Sequence, residues 1–181
     1  MTGDEIQSLL DVNMYHPTAV LKKFLPELSK RKDVKSGIIF VSSVQEYVAM
    51  PAAAAYAASK AFVGYLARAV SVELENTDRE QIDTQVLCPN FVDTGMLDGV
   101  PIPLASLQKA SPSSVVAASL RQLGHTRLPG ECPATSGTAM HEILNRNLRF
   151  IHNNSVMAVT KTLTYLFYDK KRPDQSKEKN A

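Results

Sequence analysis

The stretch G-I-I-F-V-S-S-V-Q-E-Y-V-A-M-P-A-A-A-A-Y-A-A-S-K, from Gly37 to Lys60, decides how the chain folds. Its first part, up to Ser43, is a short β-branched and aromatic run, which predicts a strand buried on both faces, as in a parallel sheet. Strand gives way to loop at Val44. From about Ala53 the run Y-A-A-S-K-A-F-V-G-Y-L-A-R-A-V-S-V-E-L is rich in strong helix formers, with Phe62, Leu66, Val70 and Leu74 along one stripe. After N-T-D-R-E-Q, a second strand is expected over I-D-T-Q-V-L-C-P, ended by Pro89. Strand, helix and strand in this order predict an α/β fold with a parallel sheet.

Upstream, Thr2 and Glu5 form a T-x-x-E capping box ahead of Ile6, Leu9 and Leu10 at helical spacing, so a helix begins almost at Met1. It is expected to continue through Asn13 towards V-L-K-K-F-L and to close at Pro26 and the charged S-K-R-K-D-V-K-S. Downstream, Gly95 to Ala110 holds Pro101 and Pro103 and reads as an irregular segment or lid. Ser111-Pro112 then caps a helix, S-V-V-A-A-S-L-R-Q-L, ended by Gly124. Thr126 to Thr138 is loop-rich, with room for one more short strand.

Composition bounds the functional classes. A chain of 181 residues, 44% hydrophobic and 21% charged, has the make-up of one globular domain. The residues from Asp169 to the end hold five Lys/Arg against three Asp/Glu and so account for the whole net charge of +2, which leaves a neutral body with no basic face for nucleic acid. Cys88 and Cys132 form no C-x-x-C pair, so neither a zinc site nor a disulfide framework is indicated and a reducing compartment fits. The start has the character of no secretory signal, and no apolar run reaches the roughly 20 residues of a membrane-spanning helix. None of the four histidines shows metal-ligand spacing.

Chemistry concentrates in the opening stretch. Tyr56 and Lys60, at i and i+4 on a helix, share a face about 6 Å apart along the axis. A free phenol titrates near 10, and a nearby ammonium lowers that value by stabilising the phenolate, so Tyr56 is a candidate general acid/base. Ser43 closes a strand, at the edge where open α/β sheets bind ligands, and its hydroxyl is placed to orient a carbonyl oxygen beside Tyr56. The small residues from Ala52 to Ala58 leave room for a ligand and for a packed helix. A tyrosine and a lysine at this spacing usually carry no chemistry on their own.

The fuller pattern resembles the short-chain dehydrogenase/reductase family. Y-A-A-S-K matches its Y-x-x-x-K signature, and Ser43 lies thirteen residues before Tyr56, as the family's catalytic serine does. D-V-N at Asp11 to Asn13 resembles the helix carrying a catalytic asparagine, and P-N-F-V-D-T at Pro89 to Thr94 resembles the P-G-x-V-x-T segment beside the nicotinamide. V-N-M-Y-H-P-T and S-V-V-A-A-S-L-R-Q-L-G look closest to the branch of 17β-hydroxysteroid dehydrogenases and very-long-chain 3-oxoacyl-CoA reductases. The resemblance implies an NADP- or NAD-dependent oxidoreductase acting on a ketone or hydroxyl of a steroid-like or long-chain acyl substrate. It also implies that Tyr56 protonates the substrate oxygen, Lys60 binds the nicotinamide ribose and depresses the tyrosine pKa, and Ser43 holds the carbonyl. Asn13 would hold a water linking Lys60 to solvent, and Pro89, Val92 and Thr94 would line the carboxamide. The alanine run serves equally for close helix packing across a homodimer, as in many family members.

Two departures stand out. The family's glycine after the proline is Asn90 here, a residue that tolerates positive φ. The Gly-rich dinucleotide turn is missing: none of the eight glycines forms a G-x-x-x-G-x-G. The expected architecture is therefore the C-terminal catalytic part of a Rossmann-like doubly wound sheet, lacking the N-terminal nucleotide-binding strands and leaving a sheet edge and apolar faces exposed. Residues 1–152 would form this part and 153–181 an amphipathic segment and basic tail. In that tail Val156, Val159, Leu163, Leu166 and Phe167 would lie on a bilayer with Lys170, Lys171 and Arg172 at the headgroups. Lys177 and Lys179 resemble a K-x-K-x-x signal for the endoplasmic reticulum, whose cytosolic membrane face is the expected location, with the cytoplasm as the alternative. A catalytically inactive truncated isoform or partner-binding protein remains the second functional class.

Overall fold

A computed structural model of the chain describes residues 1–48, 53–77, 79, 81–97, 109–125 and 134–143. The expectations for the amphipathic segment, for Lys177 and Lys179, and for residues 98–108 of the Gly95 to Ala110 segment lie outside these residues.

Helix α1 spans Gly3–Leu10 and starts on the predicted box, with the Thr2 hydroxyl accepting from the Glu5 N–H at 3.2 Å and the Thr2 N–H donating to the Glu5 carboxylate at 2.7 Å. It runs through a π-turn at Asp11–Tyr15 into α2, His16–Ser29. Pro17 explains the turn. It has no N–H to offer the Asn13 carbonyl four residues back, and the His16 N–H reaches instead to the Asp11 carbonyl, five residues back. α2 passes through Pro26, the first of the two expected stops, and ends at Ser29, where the second, the charged S-K-R-K-D-V-K-S, begins. Both Pro26 and Lys22, four residues before it, are exposed, so the hydrogen bond that the proline cannot give is lost on the solvent side of the helix.

Strand β1 (Ser36–Val41), helix α3 (Ala54–Glu75), strand β2 (Ile82–Leu87), helix α4 (Pro112–Gln122) and strand β3 (Ala134–Thr135) follow. The fold is α/β, and the three strands lie in the order β1-β2-β3, all parallel. Ser36 pairs with Ile82 and Val41 with Leu87, so β1 and β2 end level. The Ser111 hydroxyl caps α4 by accepting from the Ser114 N–H at 3.2 Å, and Gly124, at φ +79°, follows the helix where its missing Cβ leaves room for Asp83.

The core joins Phe40 of β1, Ile82 and Val86 of β2, Cys88, and Val63, Ala67, Val70 and Leu74 of α3. Val70 and Leu74 of the predicted stripe lie in this core, while in the first half of the helix Val63 and Ala67 are buried instead and Phe62 and Leu66 pack at the margin, partly buried. A second correction concerns β1. Only Phe40 is buried, and Val41 is 55% exposed, because β1 is the edge strand of the described sheet. Beside it an apolar groove of about 470 Å³, lined by Val12, Val20, Phe24, Ile38, Phe40 and Lys60 among others, runs between β1 and α2.

Candidate active site

The carboxyl ends of β1 and β2 carry the predicted residues. A strand turns successive side chains to opposite sides, so the pair Ser42-Ser43 divides its labour. The Ser42 N–H continues the sheet to the Leu87 carbonyl at 2.8 Å, while its hydroxyl donates to the Lys60 carbonyl at 2.9 Å and ties the strand end to α3. Ser43 keeps the extended backbone, faces the other way, and stands near enough to Tyr56 for its side chain to draw the phenol's titration down. It also opens a single 3-10 turn, Val44–Glu46, accepting from the Gln45 N–H with its hydroxyl at 3.2 Å and from the Glu46 N–H with its carbonyl at 3.0 Å.

Tyr56 and Lys60 occupy successive turns of α3. The Lys60 ammonium lies 5.5 Å from the centre of the Tyr56 ring and donates to the Val41 carbonyl at 3.2 Å. Burial pushes the Tyr56 phenol above its ordinary value, and the hydrogen bond from Ser43 opposes that rise. Burial pushes the Lys60 ammonium below its ordinary value, against the pull of Cys88. The expected lowering of the tyrosine by the lysine is therefore not what the isolated site shows: the ammonium sits against the ring, its hydrogen bond goes to the backbone, and desolvation of the phenol dominates.

The π-turn carries Asn13 to the same region. Its amide donates to the Ser59 hydroxyl at 3.0 Å, and Ser59 in turn donates to the Tyr56 carbonyl at 2.7 Å. Asn13 thus reaches the turn of α3 that carries Tyr56 through Ser59, and both Asn13 and Lys60 line the groove. Pro89 joins from the end of β2, its carbonyl accepting from the Val44 N–H at 3.1 Å. Thr94 is exposed and bonds back to the Val92 carbonyl at 3.4 Å, while Val92 bridges to Ala110. The structure gathers Asn13, Ser43, Tyr56, Lys60 and Pro89 and leaves Thr94 at the periphery.

Four further residues hold the site and are not marked by any motif: Ser42, Ser59, Glu46 and Arg68. Strand alternation and the i, i+3 spacing of Tyr56 and Ser59 are the signals that point to the two serines. Glu46 pairs with Arg68 of α3 and has a side chain only 3% exposed.

The residues present fit one end of a nicotinamide dinucleotide. An ammonium has three donors; Lys60 gives one to Val41, stands 5.5 Å from the centre of the tyrosine ring and lines the groove. The pyrophosphate end does not fit, since the sequence offers no glycine turn leading from a strand into a helix N-terminus.

A parallel sheet with a serine, a tyrosine and a lysine converging at its carboxyl edge defines a class of α/β oxidoreductase site. Comparison with known proteins places the chain: the short chain dehydrogenase family matches residues 1–102, and the chain belongs to that family. Oxidoreductase UcpA of Salmonella typhimurium is 36% identical over 101 residues, covering 55% of this chain and 36% of that protein. Estradiol 17-beta-dehydrogenase 11 of Mus musculus is 34% identical over 94 residues, covering 51% of this chain and 30% of that one. The crystal structure of a short chain dehydrogenase from Burkholderia cenocepacia in complex with NADP shares the fold with a TM-score of 0.69 at 23% identity, over 88% of this chain and 60% of that chain. The chain spans 36% and 30% of the two curated relatives' lengths, about a third.

Proposed function

We propose that this chain carries the acid/base half of an NAD(P)-dependent oxidoreductase that interconverts a ketone and a hydroxyl on a steroid-like or long-chain acyl substrate. The single observation behind this reading is the placing of Tyr56 beside Ser43, with the Lys60 ammonium 5.5 Å from the same ring and bonded to the Val41 carbonyl, at the carboxyl ends of two parallel strands. The cofactor, when bound, supplies or accepts a hydride. In the reducing direction the Tyr56 hydroxyl gives its proton to the substrate oxygen. Ser43 donates a hydrogen bond to that same oxygen, and Lys60 holds the nicotinamide ribose and steadies the phenolate that Tyr56 becomes. Asn13 shapes the proton path behind Lys60, and Pro89, Val92 and Thr94 border the carboxamide. The half-buried phenol suits a donor that must stay protonated until the oxygen arrives.

The proposal extends to a lipid-like substrate, a homodimer packed through the alanine run, and an endoplasmic reticulum address read from Lys177 and Lys179. The second reading, a catalytically silent partner-binding chain, draws support from the open apolar groove and the edge of β1.

Turnover separates the two. With the chain fused behind the nucleotide-binding part of a relative, Tyr56→Phe is expected to lower reductase activity about 10²–10⁴-fold. Near-unchanged turnover would remove Tyr56 from the chemistry. The chain by itself is expected to bind NADPH weakly or not at all, because nothing in its sequence cradles the pyrophosphate. Tight, stoichiometric NADPH binding by calorimetry would overturn that expectation.

A further inference from the structure

We propose that Glu46 is a positioning residue for Ser43: its carboxylate, held on α3 by Arg68, fixes the turn that presents the Ser43 hydroxyl to Tyr56. This rests on the reading of Ser43 and Tyr56 as the reacting pair.

Tyr56, Lys60, Gly64 and Arg68 follow one another at intervals of four along α3 and so form one ridge. The 3-10 turn Val44–Glu46 runs beside that ridge, with Ser43 at the Tyr56 end and Glu46 at the Gly64 and Arg68 end. Ser43 is bonded into the turn twice, through its hydroxyl to Gln45 and through its carbonyl to Glu46, so the turn and the hydroxyl move as one piece.

At its far end the turn is fastened by a buried charge. The Glu46 carboxylate is 3% exposed, pairs with the Arg68 guanidinium, and accepts from the Cys88 thiol at 3.5 Å. Arg68 also bonds the Tyr47 side chain, and Glu46 and Tyr47 together hold its charge against the cost of burial. The carboxylate lies directly over Gly64, and any Cβ there would overlap it. A carboxylate enters such a place only when paired, because an unpaired buried charge is costly. Glu46, Arg68 and the bare backbone of Gly64 therefore specify one seat for the turn. Two turns back along the same helix stands Tyr56.

A rival account makes the ion pair a core fastening with no effect on the site. The titration of Tyr56 separates the two in the full chain with no cofactor added. Protein labelled at tyrosine Cζ is followed by carbon NMR, with the Tyr56 signal assigned by its loss in Tyr56→Phe. Glu46→Gln removes a negative charge, which by itself would move the Tyr56 midpoint down. Loss of the Ser43 hydrogen bond moves it up. The expected result is an upward shift in Glu46→Gln, smaller than that of Ser43→Ala by the effect of the lost charge, with no additional rise in Ser43→Ala/Glu46→Gln over Ser43→Ala. Should Glu46→Gln fold poorly, Glu46→Gln/Arg68→Met removes both charges and is also expected to raise the midpoint. An unmoved or lowered midpoint in folded Glu46 variants, with Ser43→Ala raising it, would overturn this proposal alone. A midpoint unmoved by Ser43→Ala would overturn it together with the Ser43–Tyr56 pairing on which the functional reading stands.

Discussion

Strands β1 and β2 lie side by side in perfect register and have exchanged the environments their sequences suggest. S-G-I-I-F-V reads as a strand for the deep interior, yet of its residues only Phe40 is buried. I-D-T-Q-V-L carries three polar side chains, yet all but Asp83 are buried. The difference lies in what each strand finds across from it. β2 is covered by α3 and α4, and its polar groups meet serines there: the Thr84 hydroxyl donates to Ser71 at 2.9 Å, and the Ser119 hydroxyl donates to the Gln85 carbonyl oxygen at 2.6 Å. β1 looks towards the groove beside α2, where Phe24 and Val20 stay more than half exposed. Polarity along a strand therefore does not report burial when paired hydroxyls satisfy it, and apolar character does not guarantee cover.

The sharpest way to break this contrast is to truncate one β-branched side chain in each strand. Ile82→Ala removes a side chain with no exposed surface from the middle of the core and is expected to cost about 2–5 kcal/mol. Val41→Ala, in the exposed end of β1, is expected to stay within about 0.5 kcal/mol of the parent. Urea unfolding of both variants measures the difference. Equal losses would mean that the groove side is packed as tightly as the core.

A smaller effect tests the polar filling of β2. Ser119→Ala leaves the buried Gln85 carbonyl oxygen without its donor and is expected to cost about 1–3 kcal/mol. Ser119→Ala combined with Gln85→Leu removes both partners, along with a Gln85 amide nitrogen that has no hydrogen-bond partner among the described residues, and should return most of that loss. A double variant less stable than Ser119→Ala would show that the pair contributes through more than mutual satisfaction.

The same contrast explains how far the sequence could be read. The capping box at Thr2, the two main strands, the helix from Ala54 and the stop at Gly124 were legible because each rests on local chemistry: a cap, a period, a glycine. The meeting of Ser43, Tyr56 and Lys60 was legible too, since strand end and helix spacing sufficed. What escaped depends on neighbours distant in the chain. The π-turn needs Pro17 to be seen as depriving Asn13, and the burial of Glu46 needs Gly64 and Arg68. The direction of the Tyr56 shift was misjudged for the same reason, because i, i+4 spacing shows how near a charge stands and says nothing of how much water the phenol has lost.

That shift gives the smallest and most specific prediction, at the seam between the closed and open sides. Tyr56 is raised above its ordinary value of about 10, so the folded chain keeps the phenol protonated where the unfolded chain has begun to release the proton. Its contribution to stability is complete below about pH 10 and is lost as pH rises through the folded value. Lys60 works in the opposite sense. Its lowered value means that the folded chain resists the charged form, so its contribution is present above the unfolded value and is lost as pH falls through the folded one. The two partly cancel in the alkaline range, and single variants expose each. Tyr56→Phe is expected to flatten the alkaline decline, and Lys60→Met to steepen it while raising stability near neutral pH. Thermal unfolding of parent and variants across pH 7 to 11 reads both slopes. If Lys60→Met leaves the neutral stability unchanged or lower, then the hydrogen bond to the Val41 carbonyl outweighs the burial of the ammonium, and the groove at that end is wetter than the seam with the core.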